Sequence, residues 1–564
     1  MKKYFALLIG LQFVFHCLSQ SFDVKSSDEV SVKGSVYMKP LMRDESGIYF
    51  LKMENKSGKS CLYALDKYDK NMNNVYDNCI EKYTGDKIIQ NIVTVQNRIY
   101  VFFSEWTKKK FAVYGLELDK ATGNPVGKEK LLVEWILADR MNRYDLRIKP
   151  DADSSNSVIT ATSDSPADDA YHIILVDVDL NVKYYIKADP KFNSNQVFEF
   201  ENVITENSNS AIITGKLYDI VRSGKNTSWV LNRLVIQRYD VNEKKLADLN
   251  PDLKDKYIIS YKVFRIANTT DIFISGIYSK TNTGVSIPAG LFFSKLAPDL
   301  TLGNVSIKEI NPADIEKWKA EEKYPGIYNF IFYDILFDKD KNRLFLFAET
   351  YDYKQEYGTY WYHDPIGRRP GQQGYVASQM GLYKNAAKKI FTYVYHCGEM
   401  IVIDVDLKSS SINKYYNIDK KQVEIIAENE DNNFPAIYDA FVSRPPTNYI
   451  YGQGVAPFYS SFSTNKIGER LFIIYNQQEK IQESKRSKDK DDYPDFNTSQ
   501  LNCISINLNS GEVTKKIIAA NDDDHPVYMP RFAYASGNDF LIPALKITRK
   551  LKADCKFVRV AIKD

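Results

Sequence analysis

The residues best suited to chemistry gather in one stretch, Gln355–Lys389. It holds Tyr357, Tyr360, Trp361, Tyr362, His363, Arg368 and Arg369, followed by Tyr375 and Tyr383. Tyr351–Tyr383 carries seven Tyr in 33 residues, where the chain's 40 Tyr in 564 residues would give about two. Tyr and Trp rings offer flat faces with a polar edge, which stack on sugars or other rings. An adjacent Arg pair can grip a carboxylate or phosphate through parallel N–H donors. This is binding chemistry, and Tyr357, Tyr360, Trp361, Tyr362, His363, Arg368 and Arg369 are the candidate ligand contacts. The competing structural reading has the same rings sealing the mouth of the fold. A second aromatic stretch, Tyr449–Phe462, reads as a Gly- and Pro-containing loop.

Catalytic signatures are thin. Past the N-terminal leader the His are His172, His363, His396 and His525, and none stands in a HxxxH or HExxH spacing. No metal site is therefore expected. Asp522–His525 reads as a solvated acidic turn. His396 and Cys397 are adjacent, but neighbouring strand residues point to opposite faces and form no dyad. The chain has no GxSxG, P-loop or dinucleotide fingerprint, so no cofactor is expected. Carboxylate pairs for glycoside cleavage come from distant strands and leave no local signature.

The elements that must position these residues are hairpins. Tyr171–Lys187 (YHIILVDVDLNVKYYIK) is an apolar run, an acidic turn and a second run. Copies start at Cys61, Phe111, Leu234, Leu291, Met400, Cys503 and Cys555. A short apolar strand precedes each, such as Arg343-Leu344-Phe345-Leu346-Phe347, and often a further strand before it. Four strands recurring about every 50–60 residues is the pattern of propeller blades. Runs such as Ile173-Ile174-Leu175-Val176 are apolar on both faces, as a blade packed between two others requires. Stacked β-sandwiches are the alternative, but no linker separates such domains. The expectation is an all-β, single β-propeller of seven to eight four-stranded blades, eight being the count of units. The last unit stops after one strand, and Phe22–Lys33 is spare material that can pair with it and close the ring. Asn311–Gly326 reads as a capped connector helix, and the Gln355–Lys389 segment as a long loop insertion in blade six. Leu131–Arg140 fits a helical turn or a strand end, and Glu479–Phe496 a mixed-charge loop.

Lys2 and Lys3, the apolar run Phe5–Phe15 and small residues before Gln20 form a secretory signal peptide over residues 1–19, cut between Ser19 and Gln20. His16 before Cys17 disfavours a lipid anchor. Residues 20–564 are then one propeller domain without a transmembrane segment. Without the leader, 73 basic residues balance 72 acidic ones, which gives no field for nucleic acid. Five Cys remain, an odd number. Cys61 and Cys79 are placed symmetrically about the first hairpin turn and are the candidate disulfide.

The segments IILVDVDLNV and IVIDVDLKSS resemble strand-and-turn units of secreted bacterial β-propellers, and the Lys, Asn and Tyr bias with the Ser-Gln leader end looks like exported proteins of the Bacteroidota. The WD, kelch and sialidase repeat signatures are missing, so the resemblance assigns no functional residue. The sequence points to an exported binding or scaffold protein of the periplasm, outer-membrane surface or extracellular space. It would hold a glycan or an envelope protein at the propeller mouth. The alternative is a polysaccharide-acting hydrolase or lyase with carboxylates gathered there.

Overall fold

The computed structural model describes residues 21–28, 30–33, 36–54, 63–85, 87–137, 144–163, 170–190, 192–193, 195–206, 209–223, 226–281, 287–321, 330–358, 390–428, 459–477, 499–520, 526–547 and 552–563. They form eight antiparallel sheets, the blades of one β-propeller. Blades 1 to 7 take their strands in sequence order: blade 1 spans residues 36–79, blade 2 88–136, blade 3 144–188, blade 4 196–249, blade 5 257–309, blade 6 330–418 and blade 7 462–520. Blade 8 combines both ends of the chain. Its strand Lys552–Lys563 pairs with Asp539–Ile547 on one side and with Ser21–Ser26 and Val30–Lys33 on the other. The spare N-terminal strand closes the ring, as its position in the sequence suggested.

The hairpin read in Tyr171–Lys187 forms the outer half of blade 3, as strands Tyr171–Val176 and Val182–Ala188. Its apolar run splits between two interfaces. Ile174 and Val176 pack toward blade 2, whereas Ile173 and Leu175 pack toward blade 4. Blade 6 repeats this, with Leu344 and Leu346 facing blade 5 and Phe345 and Phe347 facing blade 7. Burying both faces is why these strands lost the alternation of a half-wet sheet. Each such side chain contributes roughly 1.5–3 kcal/mol by leaving water.

Asp177, in the hairpin turn, accepts the backbone N–H groups of Asp179 and Asn181 at 2.9 and 2.8 Å. Asp69, Asp240 and Asn507 do the same in the matching turns of blades 1, 4 and 7. Asp406 accepts the N–H of Lys408. These Asp and Asn side chains are turn chemistry that recurs from blade to blade.

The first strand of each blade is innermost, and polar side chains tie neighbouring blades together around the axis. Thr94 Oγ1 donates to Leu41 O at 3.5 Å, Asn91 Nδ2 to Ile148 O at 2.6 Å, and Lys149 Nζ to Val203 O at 3.0 Å. Tyr261 OH donates to Gly215 O at 2.7 Å and Ser260 Oγ to Phe330 O. Thr464 Oγ1 bonds Asp334, Asn465 Nδ2 donates to Gly537 O at 2.8 Å, and Arg43 pairs with Asp539. The circuit is complete from blade 1 back to blade 1. In blades 1, 2, 4, 5 and 6 the first strand carries a β-bulge, at Leu41, Gln90, Glu201, Ile259 and Tyr333. A bulge shifts the strand by one residue and re-aims the next side chain, here toward the neighbouring blade.

The connector helix is Pro312–Glu321, and Asn311 Oδ1 accepts the Ala313 N–H at 3.0 Å as its cap. Asp314 accepts the Tyr415 hydroxyl at 2.8 Å, which fastens the helix to blade 6. Of the two readings of Leu131–Arg140, the strand holds, since Lys130–Ile136 is the last strand of blade 2. Glu479–Phe496 lies almost wholly outside the described residues. Cys79 is disulfide-bonded, whereas Cys397, Cys503 and Cys555 form no disulfide among the described residues. Its expected partner Cys61 lies outside the described residues. In the ladder the residue opposite Cys79 is Ala64, because the turn centres on Asn71, with Tyr68 opposite Asn74, and a bulge at Lys67/Tyr68 shifts the register by one residue more.

Blade 1 also buries a charge cluster. Lys52 Nζ lies 3.4 Å from Asp66 Oδ2 and pairs more closely with Asp77. Burial pushes the Asp66 carboxyl up to about 8, Lys52 pulls it down, and Asp77 adds to the rise. The folded-state value lies above the ordinary 3.8. The stability tied to this carboxyl is therefore complete below about pH 4 and is lost as pH rises through 8. Asp66→Asn removes that loss. Its melting temperature relative to wild type should climb from pH 5 to about pH 8, with a limiting slope of about 1.4 kcal/mol per pH unit for one proton, and level off above that. Parallel melting curves across that range would show that Asp66 is ionised in the fold.

Candidate functional site

Antiparallel blades give the propeller two unlike faces. One carries the turns between first and second and between third and fourth strands, and is called here the turn face. The other, the loop face, carries the connections between second and third strands and between blades. The strands bounding residues 359–389 open onto the loop face.

Blade 6 rises there well beyond its neighbours. Its central strands run Arg343–Gly358 and Ile390–Asp406, and stay paired up to Gly358↔Ile390. The strand Gln422–Glu428 pairs alongside Phe391–Cys397 and makes the projection a three-stranded flap. The insertion expected from Gln355 therefore begins only at residue 359, and Tyr357 lies within the strand, opposite Phe391. Tyr351, Tyr353 and Tyr357 stand two and four residues apart between polar residues, which is the period-2 spacing of a strand. Tyr360, Trp361, Tyr362, His363, Arg368 and Arg369 lie outside the described residues, as do Tyr375, Tyr383 and Asp522–His525. In Tyr449–Phe462 the end belongs to blade 7, where Phe462 starts the strand Phe462–Ile467 and is fully buried.

A buried polar network holds the root of the flap, and sequence reasoning missed it. Glu349 sits at the bulge where blade 6 gives way to the flap, and Lys420 in the turn before Gln422. Their side chains are ion-paired at 0% exposure each. Lys420 Nζ also donates to Gln422 Oε1 at 2.7 Å and to the Cys397 carbonyl at 3.3 Å. The second Glu349 oxygen accepts the Ser461 hydroxyl at 2.9 Å. Gln422 accepts the Ser461 N–H at 2.7 Å and donates to Asn476 O at 2.6 Å. Glu424 Oε2 accepts the Tyr459 and Ser460 N–H groups and the Ser460 hydroxyl, each at 2.9 Å. Asn476 Nδ2 reaches Tyr528 O at 2.7 Å, and Tyr459 OH reaches Leu545 O at 3.1 Å. The network thus joins blades 6, 7 and 8.

Beneath it Ile331, Tyr351, Tyr395 and Cys397 form a small apolar cluster with Tyr333 at its edge. The Arg531 guanidinium, from the Pro530–Phe532 turn of blade 8, lies 5.5 Å over the Tyr333 ring. Burial raises the Cys397 thiol to about 12, with Glu349 adding to the rise. A thiol so buried is no nucleophile at neutral pH. Cys503 is likewise pushed up to about 12 by burial. Lys149 is depressed to about 7 by burial, then by Lys262 and Arg147. A lysine so tuned suits proton transfer, but its Nζ donates to Val203 O and bonds Asn202, which makes it a tie between blades 3 and 4. Among the described residues, no group of three or more His, Cys, Asp or Glu side chains is arranged to hold a metal ion, and no helix is long and apolar enough to cross a membrane.

No family model matches the chain, and no curated protein matches it. Solved structures resemble it at low identity. A polysaccharide lyase, Uly1, is 10% identical over 94% of this chain and 100% of its own, with a TM-score of 0.33. An oligogalacturonate lyase in complex with manganese is 9% identical over 95% and 99%, with a TM-score of 0.29. Prolyl oligopeptidase B from Galerina marginata is 12% identical over 62% of this chain, with a TM-score of 0.27, and this chain spans only 37% of its length. Scores this low carry no activity over to this chain, whose function must be argued from its own site.

Proposed function

We propose that the chain is an exported binding or scaffold protein of the cell envelope, which uses the blade-6 flap on its loop face to hold a glycan or an envelope protein. The observation that carries this reading is the flap itself. A three-stranded projection fixed by a buried ion pair is a rigid platform, and residues 359–389, with their Tyr, Trp and Arg side chains, are strung between its two longest strands. Binding residues on a loop gain affinity when the scaffold beneath them is already ordered. The carboxylates at the flap root support binding over catalysis, because Glu349 and Glu424 are occupied by Lys420 and by Ser and backbone donors. Export is supported by the leader read in residues 1–19 and by the disulfide at Cys79, a bond that persists in oxidising compartments.

The test is replacement of residues 359–389 by a two-residue Asn-Gly turn, which keeps both flap strands. Wild type and variant are compared on immobilised glycans and polysaccharides, with reducing ends assayed in the same wells. The variant should keep a β-rich far-UV CD spectrum and lose binding. Trp361→Ala and the pair Arg368→Ala/Arg369→Ala should each weaken binding at least about tenfold, as hot-spot aromatics and Arg do. Release of reducing ends by the wild type would replace this reading with the polysaccharide-acting enzyme.

A further inference from the structure

A cleft of about 810 Å³ opens on the turn face, opposite the flap, where turns of blades 4, 5 and 6 meet. We propose that this cleft binds a hydroxylated organic carboxylate, a uronate-type sugar acid, at a site separate from the loop face.

Charge is the first ground. Four cations line the cleft, Arg238, Arg265, Lys295 and Lys408, against two carboxylates, Glu206 and Asp271. Most of these charges are committed. Arg238 is held by Glu206 at 2.9 Å, and Lys295 by Asp271 at 2.7 Å. Arg265 is fixed by Asp153 at 2.7 Å and donates to Thr269 O at 2.8 Å. Lys408 is exposed and has no ion pair or side-chain hydrogen bond among the described residues. Its backbone is anchored by Asp406, which accepts the Lys408 N–H at 2.8 Å. Arg265 is itself buried, and its Nε–H has no acceptor among the described residues. The site thus keeps one free ammonium at its rim over a floor of preorganised guanidinium groups, which favours an oxyanion.

The remaining lining selects the body of the ligand. Leu296, Ala297 and Pro298 give the lining an apolar part, while Thr270, Asn304 and Ser409 add hydroxyl and amide groups. A sugar ring has an apolar C–H face and a hydroxylated edge, and a uronate adds the carboxylate. The volume falls within the ~300–1,000 Å³ of small-ligand sites, far more than a bare inorganic anion fills.

Isothermal titration of the full mature chain at low ionic strength, with sodium glucuronate, glucose and sodium sulfate as separate probes, tests the proposal. Glucuronate should bind saturably at one site, glucose should give no saturable heat, and sulfate should bind at least about tenfold more weakly. Lys408→Ala and Lys295→Ala, both at exposed positions, should each cost about tenfold in affinity, the scale of a hydrogen bond to a charged group. Deleting residues 359–389 should leave glucuronate binding unchanged, which separates this site from the flap. Absence of saturable glucuronate binding overturns the proposal. So does sulfate binding as tight as glucuronate, which would make the cleft a plain anion site, or binding that survives the Lys295→Ala/Lys408→Ala pair.

Discussion

Lys420→Met should cost the fold about 3–5 kcal/mol, the usual penalty for stranding one charge of a buried pair. Both partners are at 0% side-chain exposure, so the substitution takes the paired cation from Glu349 at a site that solvent does not reach. The second Glu349 oxygen keeps the Ser461 hydroxyl, which cannot neutralise a full charge. Adding Glu349→Gln should recover most of the loss, because the stranded charge then disappears. Urea denaturation of wild type, both single variants and the double variant completes the cycle, with an expected coupling of about 2–3 kcal/mol. Additive single effects would mean the two groups are solvated and independent. The functional consequence follows from placement. Lys420 fixes the turn leading into Gln422–Glu428, so Lys420→Met should also speed amide exchange over Phe391–Cys397, the strand it covers.

The propeller was legible because its signal is repetitive and local. Doubly buried strands such as Ile173–Val176 and Leu344–Phe347 drop the polar alternation of an open sheet, and third strands such as Tyr171–Val176 and Ile390–Asp406 lead into an Asp that shapes the turn. Eight blades, the closing strand and the capped helix all follow from such short-range patterns. What stayed hidden depends on long-range placement. Glu349 and Lys420 are far apart in sequence, and their partners Ser461 and Asn476 belong to another blade. Nothing local marks a Glu within a strand as one whose counter-ion arrives from a distant turn. The first-strand bulges also escape notice, because the extra residue is Leu41, Gln90, Glu201, Ile259 or Tyr333, with no shared chemistry. The insertion boundary was set too early for a different reason. In a chain so rich in Tyr, the alternation of Tyr351, Tyr353 and Tyr357 reads like an aromatic loop although it is strand periodicity. The turn-face cleft draws on Glu206 and Lys408, which lie in blades 4 and 6 and meet only where blade 5 packs between them.

Removing residues 21–33 should be still more damaging, because it takes the outer strands from blade 8. Ser21–Ser26 forms six register pairs with Lys563–Val558, and Val30–Lys33 forms four more with Cys555–Lys552. Ser27 adds a two-way link, its N–H donating to Phe557 O and its Oγ accepting the Phe557 N–H, both at 2.9 Å. Phe22 packs against the core between blades 7 and 8. At roughly 1 kcal/mol net per backbone hydrogen bond, the loss is on the order of 5 kcal/mol or more, comparable with the whole stability of an ordinary domain. It would also bare the edge of Lys552–Lys563, whose Val558, Val560 and Ile562 are buried, and an uncovered apolar edge recruits other chains. The truncated chain should therefore elute as aggregate on size exclusion, and a synthetic peptide of residues 21–33 added during refolding should restore a monomer peak. A monodisperse truncated chain with an unchanged melting temperature would show that the ring closes without this strand. The arrangement also orders events in time. The strand made first must wait for the strand made last, so the ring cannot lock before the C-terminal strand has been synthesised.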